Sequence, residues 1–435
     1  MIYLHIAFSV FVFLTTNSLA VFSFYLMFVS LGLFITRKSQ EGKSIFSGFF
    51  LIYTIYATLV YYYRDFYGLE FVHASDQTGF YLQSEILGET ESFIEFAGIC
   101  LQMVLVNWNG GSAFIFGSIS YLAKNIFHGN HLLLHLYSVC FSAGLIQFYL
   151  HKTLRLYYNR KKSTMYTIIF GLLSYSFYYS GFMLRDVYIA LLFMIAVWIY
   201  HEKELKSGTI LKLVILSALT YTLRDENGLF MLTIVFAYIY KTRASAKKSF
   251  LIASALLGGL LLSGFFVSVY YNTLEVLAVR NEVHVDRIND ESGLVTTLYK
   301  LPRGLREISI ITFNLISPFP FWSFFKGKVG DILFINNSLA GIFSFYMNGF
   351  IVLSVIFFRK NLVIRKGLIY LTAIAYLLIV LNLASLDTRR IFYMYPVLFI
   401  LFLNMFNQIK RRKVINKALT YLYISLIMIY LILKY

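Results

Sequence analysis

The chain has 435 residues, of which 59% are hydrophobic and 19% aromatic, while only 14% are charged. This composition excludes an ordinary soluble enzyme and is typical of a polytopic membrane protein. The formal net charge is +17, but the basic residues are spread over short loops and are not pooled in one domain, so nucleic acid is not predicted as a partner.

Six short basic segments separate the apolar stretches of the chain. They are residues 37–43, 152–162, 203–212, 241–248, 359–366 and 410–417, and they hold 24 of the 38 Lys and Arg residues. Under the positive-inside rule these segments are cytoplasmic and the remaining loops face outward. The sequence therefore predicts an all-α fold in which residues 1–435 form a single integral membrane domain.

Apolar runs long enough to cross about 30 Å of hydrocarbon predict the membrane-spanning helices. The runs are 45–63, 132–150, 165–183, 187–200, 211–223, 229–240, 249–271, 333–357, 367–385, 391–408 and 418–434. Residues 3–36 precede them and form one long tilted helix or a tight pair, because Thr15-Thr16-Asn17-Ser18 interrupts them. The total is about 12 or 13 transmembrane helices. The N-terminus lacks a basic region, so no removable signal peptide is expected.

The first outward loop, residues 64–131, contains an apolar stretch that is not a simple span. Residues 98–130 begin and end on the outward side, and Trp108, Asn109, Gly110 and Gly111 interrupt them. Two short helices lying at the membrane surface fit this pattern best, and a re-entrant loop is the alternative. The second outward loop comprises residues 272–332.

The tripeptide Leu-Arg-Asp occurs twice, at 184–186 and 223–225, each time at the outward tip of an apolar hairpin. Ionisable groups at membrane depth indicate a functional site, so Arg185 and Arg224 are predicted catalytic residues. The adjoining acids, Asp186, Asp225 and Glu226, are predicted to bind substrate. Several helices beside the tips are predicted to have about 12–14 residues and so to rise only roughly 20 Å, too little to cross the bilayer. Both tips would then lie below the outer membrane surface, in a water-filled depression. The alternative is local Arg–Asp neutralisation at each turn.

The segment His73-Ala74-Ser75-Asp76-Gln77-Thr78-Gly79-Phe80-Tyr81 lies in the first outward loop. An acid after an early outward-going helix, followed by Gly-aromatic-Tyr and surface helices, resembles the first outward loop of GT-C membrane glycosyltransferases. The resemblance implies that Asp76 acts near the acceptor hydroxyl or donor phosphate and that Tyr81 contacts substrate. Alternatively, Asp76 is the N-cap of a helix that begins near Gln77.

Basic residues also occupy the later outward loops. Arg303 and Arg306 precede an apolar run and could hold a lipid-linked phosphate, with anchoring to anionic lipids as an equal alternative. Arg389 and Arg390 follow Asp387-Thr388 and open a helix that contains Pro396. This turn resembles the penultimate outward turn of bacterial polysaccharide polymerases. In the alternative, one of its two arginines simply pairs with Asp387.

These residues together predict a cavity on the periplasmic side that binds a sugar-linked diphosphate. Arginine offers planar bidentate donors to phosphate and stays charged, and a carboxylate beside an acceptor hydroxyl can act as general base. No P-loop, dinucleotide fingerprint or His-Glu-x-x-His motif is present, and Cys100 and Cys140 do not have the spacing of a metal site. We therefore expect no metal and no cofactor.

In length, helix number, outward loops and arginine placement, the whole chain resembles bacterial O-antigen and exopolysaccharide polymerases of the Wzy kind. The resemblance implies an inner-membrane glycosyltransferase that joins repeat units carried on undecaprenyl diphosphate at the periplasmic face. The partners that it implies are that lipid-linked glycan and membrane lipids. A protein that regulates chain length is a further candidate partner. The Arg-x10-Gly spacing described for some members is absent at Arg185, Arg224 and Arg303.

Two other functions remain open from the sequence. A GT-C transferase that moves one sugar from a polyprenyl phosphate would also explain the Asp76 loop, although such enzymes often need a second acid and residues 98–130 contain no Asp or Glu. A flippase for lipid-linked oligosaccharides is the other alternative. The absence of obvious inverted repeats and the clustering of motifs on one face argue against a transporter.

Overall fold

The computed structural model describes residues 1–68, 76–107, 110–201, 207–241, 335–381 and 391–434, together with Pro302, Leu305 and Arg389. Throughout these ranges the regular structure is helical, which confirms the all-α class. The helices are α1 (Ile2–Thr16), α2 (Leu19–Ile35), α3 (Gln40–Phe66), α4 (Asp76–Leu87), α5 (Phe93–Asn107), α6 (Gly110–Phe127), α7 (Leu132–Leu154), α8 (Arg160–Leu173), α9 (Tyr175–Tyr179), α10 (Asp186–Tyr200), α11 (Ser207–Leu223), α12 (Asp225–Lys241), α13 (Ile335–Phe358), α14 (Lys366–Leu381), α15 (Tyr395–Gln408) and α16 (Arg412–Lys434).

Three of the described helices, α3, α7 and α13, are long and apolar enough to cross a membrane. Shorter apolar helices, among them α1, α2, α10, α11 and α12, surround them. The chain is therefore a helical membrane protein, as its composition predicts. The predicted span at 249–271 and most of the second outward loop lie outside the described residues.

The N-terminal stretch forms two helices, the tight pair of the two expected arrangements. Asn17 adopts the left-handed conformation, with a φ of 49°, and its N–H donates to the Phe13 carbonyl at 2.8 Å, which ends α1. The hydroxyl of Ser18 then accepts a hydrogen bond from the Val21 N–H at 3.3 Å and caps α2. Both residue types are favoured at these cap positions, so the chain reverses between two apolar runs.

The predicted span at 165–183 is wrong as a single helix. The chain breaks at Ser174, whose extended backbone separates α8 from α9, and its hydroxyl accepts from the Ser176 N–H at 3.2 Å. Serine competes with the helix for backbone donors in this way. An irregular turn follows α9 and leads to the first Leu-Arg-Asp tripeptide.

The helices beside the two Leu-Arg-Asp tips are longer than predicted. Helix α10 has 15 residues, and α11 and α12 have 17 each. About 12–14 residues were expected for each of them. At 1.5 Å per residue their rise is roughly 22–26 Å, still short of a membrane core of about 30 Å. The sequence underestimated α10 and α12 because they begin at the charged residues themselves, Asp186 and Asp225, and α11 because it begins inside the basic segment 203–212.

The apolar stretch of the first outward loop forms two helices, α5 and α6, that pack against each other. The interruption was predicted at residues 108–111, of which Gly110 and Gly111 belong to α6 and residues 108–109 lie outside the described ones. Helix α4 packs along α6. The three helices α4, α5 and α6 therefore lie, in sequence, between α3 and α7, both of spanning length. A surface or re-entrant position for α5 and α6 stays a prediction.

Four of the basic segments meet at one end of the helical bundle. Glu41 of α3 accepts from Arg160 of α8 at 2.8 Å, which joins segments 37–43 and 152–162. Arg365 of segment 359–366 stands 4.6 Å over the Tyr157 ring, and the Gln408 side chain just before segment 410–417 bonds the Val363 backbone. Because α10 runs from Asp186 to this end, where His201 contacts Tyr157 at 2.6 Å, the first Leu-Arg-Asp tip lies at the opposite end.

His131, the N-cap of α7, is expected to make stability depend on pH. Its ring accepts the Leu133 N–H at 3.2 Å, and burial, followed by nearby Arg64, lowers its pKa from 6.5 to about 4. The unfolded chain binds more protons between these values, so stability is full above pH 6.5 and falls as pH drops toward 4, by about 2 kcal/mol at pH 5.

Thermal unfolding in detergent at pH 7 and pH 5 would measure this loss. His131→Asn keeps a favourable N-cap but removes the titrating group, so the variant should lose less stability between the two pH values. Equal losses in the wild type and the variant would contradict the assignment.

Candidate functional site

The two Leu-Arg-Asp tripeptides are joined by a buried ion pair. The first tripeptide ends as α10 begins, and the second bridges the end of α11 and the start of α12. Arg224 of the second donates from Nη1 to the Asp186 carboxylate of the first at 2.8 Å, with side-chain exposures of only 7% and 2%. Arg224 of the second tripeptide thus pairs with the acid of the first, so its contacts among the described residues extend beyond its own turn.

The second tip is held in place by a close contact between α11 and α12. A Cβ on Gly228 would lie 2.5–2.7 Å from the Tyr221 backbone and side chain, so this position requires glycine. The Ser217 hydroxyl donates to the Gly228 carbonyl at 2.6 Å. This packing fixes Arg224, between the two helices, at the position from which it reaches Asp186.

Asp76 of the first outward loop pairs with Arg389, which follows Asp387-Thr388 in a later outward turn. The carboxylate and Nη1 are 2.7 Å apart, and Asp76 is 39% exposed while Arg389 is 11% exposed. Asp76 is the first residue of α4, where a negative charge also interacts favourably with the helix dipole. The pair joins two segments that are far apart in sequence and that were both predicted as site segments.

Helix α4 also contacts the first Leu-Arg-Asp turn directly. The Gln77 side-chain oxygen accepts the Met183 N–H at 3.0 Å, and the Arg185 guanidinium stands 5.7 Å from the Phe80 ring centre. Asp76, Arg185, Asp186, Arg224 and Arg389 consequently lie on adjoining elements, with two acids and three arginines. We call these five residues the Arg–Asp cluster.

Two residues that sequence reasoning missed support the cluster. The Tyr393 hydroxyl donates to the Asn227 side chain at 2.6 Å, and the Tyr393 ring stacks on Phe193 of α10 at 5.0 Å. These contacts dock the turn that follows Arg389 against α10 and α12. Asn227 lies three residues after Arg224, but its partner is 166 residues away, so no local pattern could reveal the contact.

The predicted site residue Tyr81 contacts α7, a helix that contributes no residue to the Arg–Asp cluster. Its ring meets His135 of α7 edge-on, with 5.8 Å between the ring centres. Burial, and then the nearby Glu85 carboxylate, raise the pKa of the Tyr81 phenol. The hydroxyl is therefore neutral at physiological pH, and the predicted contact with substrate stays a prediction.

The other predicted site residues are placed only in part. The backbone of Asp225 and Glu226 lies in the first turn of α12, and their side chains are outside the described part of the chain. Arg303, Arg306 and Arg390 are also outside it. Among the described residues, no three His, Cys, Asp or Glu side chains are grouped as metal ligands would be.

Gln77 is expected to position α4 on the Leu-Arg-Asp turn. Gln77→Leu would leave the buried Met183 N–H without this acceptor, which should cost about 1–3 kcal/mol and weaken the contact between α4 and the turn. Gln83→Leu, on the same helix, is the matched control, because the contact that the described residues give its side chain is a long one, 3.7 Å to the Met103 sulfur. Thermal unfolding of both variants tests this, and equal losses of stability would contradict it.

Comparison with known proteins gave no match among models of protein families, curated proteins or solved structures.

Proposed function

We propose that the chain is a bacterial membrane glycosyltransferase that polymerises oligosaccharide repeat units carried on a polyprenyl diphosphate. The observation that carries the proposal is the Arg–Asp cluster, in which arginines and acids from four outward segments meet at the bundle end opposite the basic segments. Under the positive-inside rule that end is periplasmic, and the chain crosses the membrane about 12 or 13 times.

In this proposal the arginines bind the diphosphate of the lipid carrying the growing glycan. Arg185 and Arg389 are the candidates for direct contact, and Arg224 adds positive charge while Asp186 holds it in place. When the acceptor hydroxyl attacks the anomeric carbon, the bond to the diphosphate oxygen breaks and negative charge develops on the leaving polyprenyl diphosphate. Fixed cations stabilise such charge in the transition state.

Asp76 is the better candidate for the general base. Its carboxylate is 39% exposed, whereas the carboxylate of Asp186 is only 2% exposed and is engaged by Arg224. A diphosphate that binds Arg389 would compete with Asp76 for the guanidinium and free the carboxylate. Asp76 would then take the proton of the attacking sugar hydroxyl, so one glycosidic bond forms for each polyprenyl diphosphate released.

Expression of the protein in a polymerase-null bacterial strain, whose oligosaccharide repeat unit matches the protein's own substrate, tests the proposal by complementation. Wild type should restore a polysaccharide ladder on a gel, and Arg185→Ala and Arg389→Ala should reduce it to one repeat unit at equal expression. Arg160→Ala is the control, because this arginine is 71% exposed at the opposite end of the bundle. A ladder that wild type fails to restore would contradict the proposal.

A GT-C transferase that moves a single sugar is the second candidate. It is favoured by the position of Asp76 at the start of α4, the first of three helices between the spanning helices α3 and α7. This enzyme would use a polyprenyl monophosphate donor and would extend its acceptor by one sugar only. Product length and donor type therefore separate the two candidates.

A further inference from the structure

A cavity of about 490 Å³ lies between α5, α6, α10 and α11. Its size falls within the range of roughly 300–1,000 Å³ that is usual for ligand sites. The described residues that line it carry no charge, and they include Leu101, Gly111, Phe114, Tyr188, Leu219 and Leu223. Such walls fit a hydrocarbon ligand and not a sugar or a free phosphate.

One end of this cavity adjoins the Arg–Asp cluster. Leu223 in its wall directly precedes Arg224, and Tyr188 follows Asp186 by two residues. The Tyr188 hydroxyl bonds Ser138 of α7 at 2.5 Å, so the polar end of this side chain is already engaged. The cavity therefore pairs apolar walls with a buried ion pair at one end.

Other walls of the cavity face away from the bundle. Leu101, Phe114 and Leu219 are 59%, 44% and 49% exposed, and an exposed apolar surface of a membrane protein contacts lipid chains. At the opposite wall, a Cβ on Gly111 would lie 2.5–2.8 Å from Thr222, so glycine lets α6 approach the end of α11. The cavity is thus closed by helix contact within the bundle and lined by lipid-accessible residues outside it.

We infer that this cavity binds the isoprenoid chain of a polyprenyl diphosphate, whose head group then meets the arginines of the cluster. The inference rests on the proposed function and names the part of the substrate that the four helices hold. A single chain fits the arrangement, because one apolar cavity adjoins one cationic cluster. An ordinary phospholipid has two acyl chains, and only one of them would fit in the cavity.

Photo-crosslinking with the full-length protein in lipid nanodiscs tests this inference. The probe is a polyprenyl diphosphate with a diazirine in the isoprene units next to the diphosphate, and mass spectrometry locates the adducts. We expect adducts on α5, α6, α10 or α11 at the cavity, competed by unlabelled polyprenyl diphosphate but not by phosphatidylglycerol. Leu219→Trp, which fills the cavity, should reduce them about tenfold.

Leu211→Trp is the matched control, since Leu211 is an exposed leucine on the same helix, 60% exposed, and does not line the cavity. It should keep wild-type adduct yield. Equal competition by phosphatidylglycerol, or equal yields in the two variants, would overturn the inference. If the adducts lie elsewhere and the protein still makes polymer, only the cavity inference is overturned. If unlabelled polyprenyl diphosphate competes for no adduct and no polymer forms, the proposed function is overturned as well.

Discussion

Replacing Arg224 by glutamine should destabilise the protein by about 3–5 kcal/mol and abolish polymerisation. The side chains of Arg224 and Asp186 are 7% and 2% exposed, so removal of the cation leaves a buried carboxylate without its charged partner. Loss of one member of a buried pair costs this much because the remaining charge is not solvated. Denaturant titration in mixed micelles measures the stability, and the polysaccharide ladder measures the activity.

The double variant Asp186→Asn/Arg224→Gln separates structure from function in this prediction. Replacing both charges by neutral groups of similar shape should restore most of the lost stability, because no isolated charge stays buried. Activity should remain lost if the positive charge of Arg224 stabilises the leaving diphosphate. Full activity in a stable double variant would assign the pair a purely structural role.

Asp76→Asn should lower the polymerisation rate by about 10²–10⁴-fold, the usual contribution of a general base. Its effect on stability should be about 1 kcal/mol, because the Asp76 side chain is 39% exposed and asparagine keeps an oxygen that can accept from Arg389. Initial rates with a lipid-linked repeat unit, together with thermal unfolding, would show this separation. An active Asp76→Asn variant would exclude the carboxylate as the base.

The charge exchange Asp76→Arg/Arg389→Asp is the control for the second prediction. It keeps an ion pair between positions 76 and 389 and so preserves the contact between the start of α4 and the segment that contains residue 389. We expect the exchanged protein to fold and to be inactive. The carboxylate proposed as the base would then be at position 389, and the guanidinium proposed to bind phosphate would be at position 76. Restored activity would show that only the contact matters.

Local chemistry made much of the fold predictable. The Thr15-to-Ser18 interruption gave a helix pair because Asn and Ser are cap residues, and the predicted interruption at 108–111 falls between the end of α5 at Asn107 and the first residues of α6, to which Gly110 and Gly111 belong. Ser174 was overlooked, since a single serine in an apolar run does not show that its hydroxyl will cap the next helix. The lengths of α10 and α12 were underestimated because the acids that begin them were counted as loop residues, and that of α11 because its first turn lies in a basic segment.

Sequence reasoning selected the residues of the candidate site, and their role there stays a prediction, but it could not give their contacts. Depth in an apolar hairpin singled out Arg185 and Arg224, since charges are costly there. The pairing of Arg224 with Asp186 and of Asp76 with Arg389 depends on how distant helices pack. The apolar cavity was not predicted either, because its walls are ordinary membrane-helix residues whose arrangement, not identity, creates the space.

Reconstitution of the purified chain in liposomes with its native repeat unit on polyprenyl diphosphate is the most direct measurement of the central claim. We predict products of two or more repeat units, with one polyprenyl diphosphate released for each bond formed. Failure to extend beyond one repeat unit, while a polyprenyl monophosphate donor adds a single sugar to its acceptor, would contradict the claim.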